Sequence, residues 1–168
     1  MSDDNGEESA VWVADMGLFV AGGRRGNGKY TALSRFARRR GITVRIPKQV
    51  HEELGGAPER SSPASLPIDE GWVTVADMGY TDATVSVLDD ARRFIANASN
   101  RDEDTVERAD TALAGVAVQL LDGGEAERIR LVTTDQDAGE ATVAVLESHG
   151  YDGQVEWRNG FDLLDDLS

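Results

Sequence analysis

The chain predicts an α/β protein, a parallel-sheet α/β/α sandwich, and three observations carry that expectation. Short β-branched runs alternate with stretches of helical period, as in strands joined by helical crossovers. The length of 168 residues suits one domain, large enough to bury roughly 70% of its unfolded surface. Two of the runs lead directly into aspartates, Val11-Trp12-Val13-Ala14-Asp15 and Leu131-Val132-Thr133-Thr134-Asp135. In a parallel sheet such residues face the crevice where ligands bind.

Taken in order, residues 1–9 form an acidic tail expected to be disordered, and residues 10–168 form the domain. The first strand is expected over 10–15. Residues 19–28, rich in glycine and arginine, read as a loop with a short helical turn at its start. Thr31 to Arg40 reads as a helix with Leu33, Phe36 and Ala37 inward, ended by Gly41 at the position past the last turn. Ile42 to Ile46 is a strand stopped by Pro47. Proline suits a first helical turn, so a short helix should run from Pro47 to Leu54. Residues 55–69 hold three of the four prolines and read as an irregular loop. Trp72 to Ala76 is a strand suited to a sheet edge. Thr81 to Ala98 is a helix with Val85, Leu88, Ala91, Phe94 and Ile95 in register.

The helix expected over about 104–121 places Val106, Asp110, Leu113, Ala117 and Leu120 on one face, four of them apolar. Ile129 to Thr133 is the next strand and 138–148 the next helix. Gln154 to Trp157 is a last strand, and Phe161 to Leu167 a short acidic helix. The pentapeptide Val-Ala-Asp-Met-Gly occurs at 13–17 and again at 75–79. The flanks differ, so it reads as coincidence rather than duplication.

The chain carries 31 acids against 17 bases, a net charge of −14. Fifteen of the bases are arginine and two are lysine. That balance points to adaptation to concentrated salt, which screens repulsion among acids. No cysteine is present, which excludes a disulfide framework and thiolate chemistry. No signal peptide or membrane-length apolar run is evident, so a soluble cytoplasmic protein without a membrane partner is expected.

Within this acidic chain, residues 10–51 hold nine bases and a single acid, Asp15. An ionised carboxylate at a strand end needs a compensating cation or donors, so Asp15 reads as a site residue. Asp110, set in an apolar helical stripe, is the next candidate; the alternative is pairing with an arginine. Asp135 should emerge beside Asp15, and Asp137 suits a helix N-cap. Glu53 is favoured over Glu52 because it follows inward-facing Val50 by three residues. His51 reads as a surface residue and His149 as a helix C-terminal cap. Thr133 and Thr134 could orient a carboxylate. Phosphate-loop glycines, zinc spacings and a Ser-His-Asp order are lacking. Oxygen-only acid clusters select Mg²⁺ or Mn²⁺, and paired ions of this kind clamp both oxygens of a phosphodiester displacement.

Val13-Ala14-Asp15, then Pro47-x-x-Val50-x-x-Glu53-Leu54, then Ala109-Asp110 opening an Ala/Leu-rich helix, then Leu131-Val132-Thr133-Thr134-Asp135 together resemble the PIN-domain ribonucleases. The resemblance covers about 10–150, here with the acidic composition of a halophilic archaeon. It implies a PIN-like sheet of about five parallel strands and an acidic pocket for Mg²⁺ or Mn²⁺ that cuts RNA endonucleolytically. By that resemblance Asp15, Glu53, Asp110 and Asp135 are catalytic, and Asp15, Asp110, Asp135 and the optional Asp137 hold metal. Thr133 orients the ligands, and Arg24, Arg25, Arg38 and Arg39 are expected to contact the RNA backbone. The segment from about 56 to 100 is longer than in compact toxins of toxin–antitoxin pairs, which weakens a toxin role. A homodimer and an antitoxin-like protein partner stay open. Two rivals remain: a PIN scaffold that binds RNA or protein without cutting, and a receiver-type phosphoacceptor domain. The latter needs a late lysine, and none follows Lys48.

The charge balance yields a first prediction. Lowering KCl from molar to about 0.1 M lengthens the Debye length to about 10 Å, and the protein should expand or unfold. Circular dichroism across a salt series reads this directly. A melting temperature independent of salt would remove the case for halophilic adaptation.

Overall fold

The structure, a computed structural model, describes residues 10–22, 28–48, 65–100, 102, 106 and 108–167, excepting the side chains at 16, 65–66 and 108–110. Among them, five strands form one parallel sheet: β1 (Ala10–Ala14), β2 (Val44–Pro47), β3 (Val73–Ala76), β4 (Arg128–Thr133) and β5 (Val155–Asn159). The helices are α1 (Met16–Gly22), α2 (Gly28–Arg40), α3 (Ser65–Glu70), α4 (Asp82–Ala98), α5 (Arg108–Asp122), α6 (Gln136–Ser148) and α7 (Gly160–Leu167). The expected α/β/α sandwich is therefore what the chain forms.

Alternation along the central strand builds the two layers. Trp12 and Ala14 turn to one side and pack with Leu18, Phe19, Leu33 and Leu164, from α1, α2 and α7. Val13 turns to the other and packs with Val87, Leu113, Ala117 and Leu146, from α4, α5 and α6. With both faces covered, the strands can be apolar throughout, as parallel strands usually are.

The strand order is β3-β2-β1-β4-β5. The chain adds β2 and β3 to one side of β1, then crosses back through α4 and α5 to add β4 and β5 on the other. The order reverses between β1 and β4, and the carboxyl ends flanking such a reversal form the crevice of an open α/β sheet. β3 is an edge strand, as its sequence suggested.

Several elements differ from their expected form. A full helix, α1, starts immediately after Asp15 where only a brief turn was expected. α2 starts at Gly28, which buries Tyr30 and Ser34 in addition to Leu33 and Ala37, and Gly41 ends it at φ 65°. Pro47 ends β2, paired with Ala76, and Lys48 directly after it is already helical; the rest of the helix expected to Leu54 lies outside the described residues. The chain at 65–70 forms α3 inside the stretch expected to be irregular. In α4 the buried face runs Thr84, Val87, Ala91 and Ile95, while Val85 is exposed. The N-cap Thr81 fixes that phase by accepting from the Thr84 N–H at 3.2 Å. α5 is buried around nearly its whole circumference from Thr111 to Leu121, because it packs across β1, β2 and β4 beneath α4 and α6. The single apolar stripe expected there is thus only part of its buried surface.

His149 is the C-cap residue of α6, and its ring also bonds Asp90 on α4 at 2.7 Å. Among the described residues no helix is long and apolar enough to cross a membrane.

Close packing between α6 and β5 gives a second prediction. A Cβ on Gly139 would collide with the Trp157 indole, a rigid ring. A Cβ on Gly115 would meet the flexible end of Met78. Gly139→Ala should destabilise by about 1–3 kcal/mol through overpacking. Gly115→Ala should be closer to neutral, since the thioether can rotate away and alanine favours a helix by ~1 kcal/mol. Denaturant melts of both variants test the ranking, and equal losses would refute it.

Candidate functional site

Parallel pairing sets Ala14 of β1 opposite Val132 of β4, so Asp15 and Thr133 leave the sheet side by side at the reversal. One oxygen of Asp15 accepts from the Gly17 backbone N–H at 3.0 Å. Its other oxygen accepts from the Thr133 hydroxyl. The Thr133 oxygen in turn accepts from the Asp135 backbone N–H at 3.0 Å. Asp135 Oδ1 accepts from the Ala138 N–H at 3.1 Å and caps α6. A hydrogen-bonded chain thus runs from β1 through β4 into α6.

Burial pushes the Asp15 carboxyl above the usual carboxylate range; the bonds from Thr133 and Gly17 pull it down, and the charge of Asp135 adds to the rise. Thr133 itself is fully buried, so its hydroxyl has little choice of partner.

The local backbone explains the glycines. A Cβ on Gly17 would collide with the Thr134 hydroxyl and come within 3.1 Å of Asp15 Oδ1. A Cβ on Gly160 would lie 2.9 Å from the Thr134 methyl. α1 and α7 therefore press onto Thr134 from both sides, which narrows the crevice behind Asp15.

The expected site residues fall into three groups. Asp15, Thr133 and Asp135 are brought together, and Asp137 is half-buried in the first turn of the same helix, α6. Asp135, not Asp137, is its N-cap, because Asp135 has the extended backbone and the side chain that accepts from the third helical N–H. Asp110 occupies the first turn of α5. That helix runs back toward the amino end of β4, so its N-terminus is at the carboxyl edge with Asp15; the Asp110 side chain lies outside the described residues. Glu53, Arg24 and Arg25 also lie outside them. Among the described residues no three His, Asp or Glu side chains are grouped to hold a metal ion.

Arg38 and Arg39 are described and exposed, but they occupy the last turn of α2 just before the chain enters β2. They belong to the amino edge of the sheet, opposite Asp15. Asp77, the aspartate of the second pentapeptide, is exposed after the edge strand β3 and pairs with Lys48 at 3.4 Å. Sequence reading did not single out Glu70, whose carboxylate gathers the Tyr30 hydroxyl at 2.6 Å, the Trp72 indole N–H at 3.1 Å and the Ser34 hydroxyl at 3.3 Å. The one available signal was that Tyr30 and Ser34 stand a helical turn apart.

The raised pKa of Asp15 generates a third prediction. In the window from the unfolded value of about 3.9 up to the raised folded value, the folded state binds more protons than the unfolded one. Stability contributed by this group therefore falls as pH rises through that window. At pH 7 the ionised carboxylate opposes folding, and Asp15→Asn, measured in EDTA, should melt at or above the wild type. A clear drop in melting temperature that is the same at pH 4 and pH 7 would contradict it.

No curated protein matches the chain, and no solved structure does. Residues 8–168 match a family described as the halobacterial PIN domain. The match spans both strand-end carboxylates, the reversal between β1 and β4 and all five strands. PIN domains are generally nucleases and typically use divalent metals. The chain belongs to the PIN-domain family of halophilic archaea.

Proposed function

We propose that the protein is a metal-dependent endoribonuclease acting at the carboxyl edge of its sheet. The observation that carries this reading is Asp15: a half-buried carboxylate at the strand reversal, held by fixed donors, with the Asp135 charge beside it. Such an arrangement opposes folding by itself and becomes favourable once a cation is shared.

The donor set fits Mg²⁺ or Mn²⁺. It is all oxygen, as these hard ions require. Among the described residues no donor reaches Asp135 Oδ2. Asp15, Asp110 and Asp135 would hold the ion, with Asp137 as an added ligand. A bound divalent ion would supply Lewis acidity toward the phosphoryl oxygens and lower the pKa of water.

The chain's own residues set the geometry. Thr133 fixes the Asp15 carboxylate plane by donating to one oxygen, while the Asp135 N–H holds the Thr133 oxygen in turn. The N-cap bond from Ala138 occupies Asp135 Oδ1, and among the described residues Oδ2 has no donor. Glu53, by the family's pattern, would complete the cluster or take the proton of the attacking water. RNA is preferred as substrate because the family's endoribonucleases carry the same four motifs in the same order.

The two copies of Val-Ala-Asp-Met-Gly provide an internal control. Asp15→Ala should eliminate both the Mn²⁺-induced rise in melting temperature and the cleavage of total RNA at molar KCl. Asp77→Ala, which removes an exposed partner of Lys48, should change neither appreciably. Paired melts with and without Mn²⁺ beside one cleavage assay per variant decide the matter. RNA cleavage by Asp15→Ala at the wild-type rate would overturn the assignment.

A further inference from the structure

α2, with Glu70 at the end of α3, lines an open groove of about 420 Å³. Tyr30, Ser34 and Glu70 form its inner surface, and Arg35, Arg38 and Arg39 line it from the solvent side. The strands are only a few residues long, at roughly 3.3 Å each. The arginines nonetheless lie at the end of the sheet opposite Asp15, so the groove is separate from the carboxylate site.

Three features distinguish it from an ordinary charged surface. The chain carries a net charge of −14, yet Arg35 and Arg39 form no ion pair among the described residues. Arg38 acts on the charge of Glu70 without a close ion pair among the described residues. The carboxylate between them is occupied through Oε1 by three neutral donors, Tyr30, Trp72 and Ser34, so the guanidinium groups keep their hydrogen-bonding forks for an outside acceptor. Among the described residues no donor reaches Glu70 Oε2, which leaves an acceptor in an otherwise donor-rich groove.

We propose that this groove is a second contact for RNA, with Arg35, Arg38 and Arg39 on backbone phosphates and Glu70 Oε2 accepting from a ribose 2′-hydroxyl. Arg35 and Arg39 are one helical turn apart, neighbours on the α2 surface, a separation comparable to that of adjacent phosphates on one strand. Guanidinium groups bind phosphate bidentately, a geometry that survives high salt better than diffuse attraction, which counterion screening removes. The 2′-hydroxyl is the group by which a protein tells RNA from DNA at a given site, and an acceptor that no protein donor occupies, as Glu70 Oε2 is among the described residues, can read it. A run of carboxylates such as polyglutamate offers anions as well but no hydroxyl. The inference rests on the ribonuclease reading and deepens it: substrate would be held at one end of the sheet and cut at the other, which favours RNA long enough to reach both.

The test measures binding by fluorescence anisotropy at molar KCl in EDTA, where no cleavage occurs. The full chain is titrated against a labelled single-stranded 20-nucleotide RNA and the DNA of the same sequence. Arg35→Ala/Arg39→Ala should weaken RNA binding roughly tenfold or more, and Arg35→Lys/Arg39→Lys should fall between it and the wild type. Wild-type protein should prefer RNA to DNA, and Glu70→Gln should narrow that preference, with a melt confirming that it folds. Equal affinity of wild type and the double alanine variant, in a protein that does cleave RNA, overturns the groove while leaving the ribonuclease reading intact. A wild type that neither cuts nor binds RNA overturns both. Unchanged RNA binding together with arginine-dependent binding of labelled polyglutamate assigns the groove to an acidic protein partner and overturns the proposal.

Discussion

The hydroxyl of Thr133 joined to the carboxylate of Asp15 is the contact on which the site depends. It bridges the two strands between which the sheet reverses its order. It exists because the β1–β4 register sets Ala14 against Val132; a slip of one residue would turn every side chain of one strand to the other face and separate the pair. The register is in turn fixed by the apolar layers, since Val13 and Leu131 share one core while Ala14 and Val132 share the other. Fold and site are thus specified by the same alternation of side chains.

Most of the architecture was legible in the sequence because its signals were local. β-branched runs, helical spacing and the glycine after Arg40 placed all five strands and the helices α2, α4, α5, α6 and α7 to within a few residues. The deviations arose where tertiary contact overrides local preference. Pro47 reads as the first residue of a helix, yet parallel pairing with Ala76 keeps it in β2 and the helical residue is Lys48, one place later. Val85 fits an apolar stripe, but the Thr81 cap turns α4 so that Thr84 and Val87 face inward instead. The full burial of α5 is not visible in its sequence, since a helix covered on all sides and one with an apolar stripe differ by only a few substitutions.

The site was legible in part, for a different reason. Asp15 announced itself by charge contrast with its surroundings, and Asp135 by the strand that precedes it. The identical pentapeptides at 13–17 and 75–79 show the limit of such reasoning. Both end a strand, but one strand is central and the other is at the edge, and only the sheet order separates them. The carboxylate of Asp15 is half-buried and bonded to β4, whereas that of Asp77 is exposed and paired with a lysine. The groove around Glu70 could not have been found locally at all, because Tyr30 and Glu70 are 40 residues apart.

The double engagement of Asp135 bears on how such a protein can drift over evolutionary time. One oxygen caps α6 and the other is left for the crevice. Asparagine caps a helix as well as aspartate does, so selection for a folded domain would accept it while the charge disappears. Stability therefore exerts no hold on the charge at this position. An exchange to asparagine would keep every strand and helix while removing the carboxylate that the proposed metal site calls for. The retention of aspartate at 135 in this chain is thus a feature that folding alone does not demand.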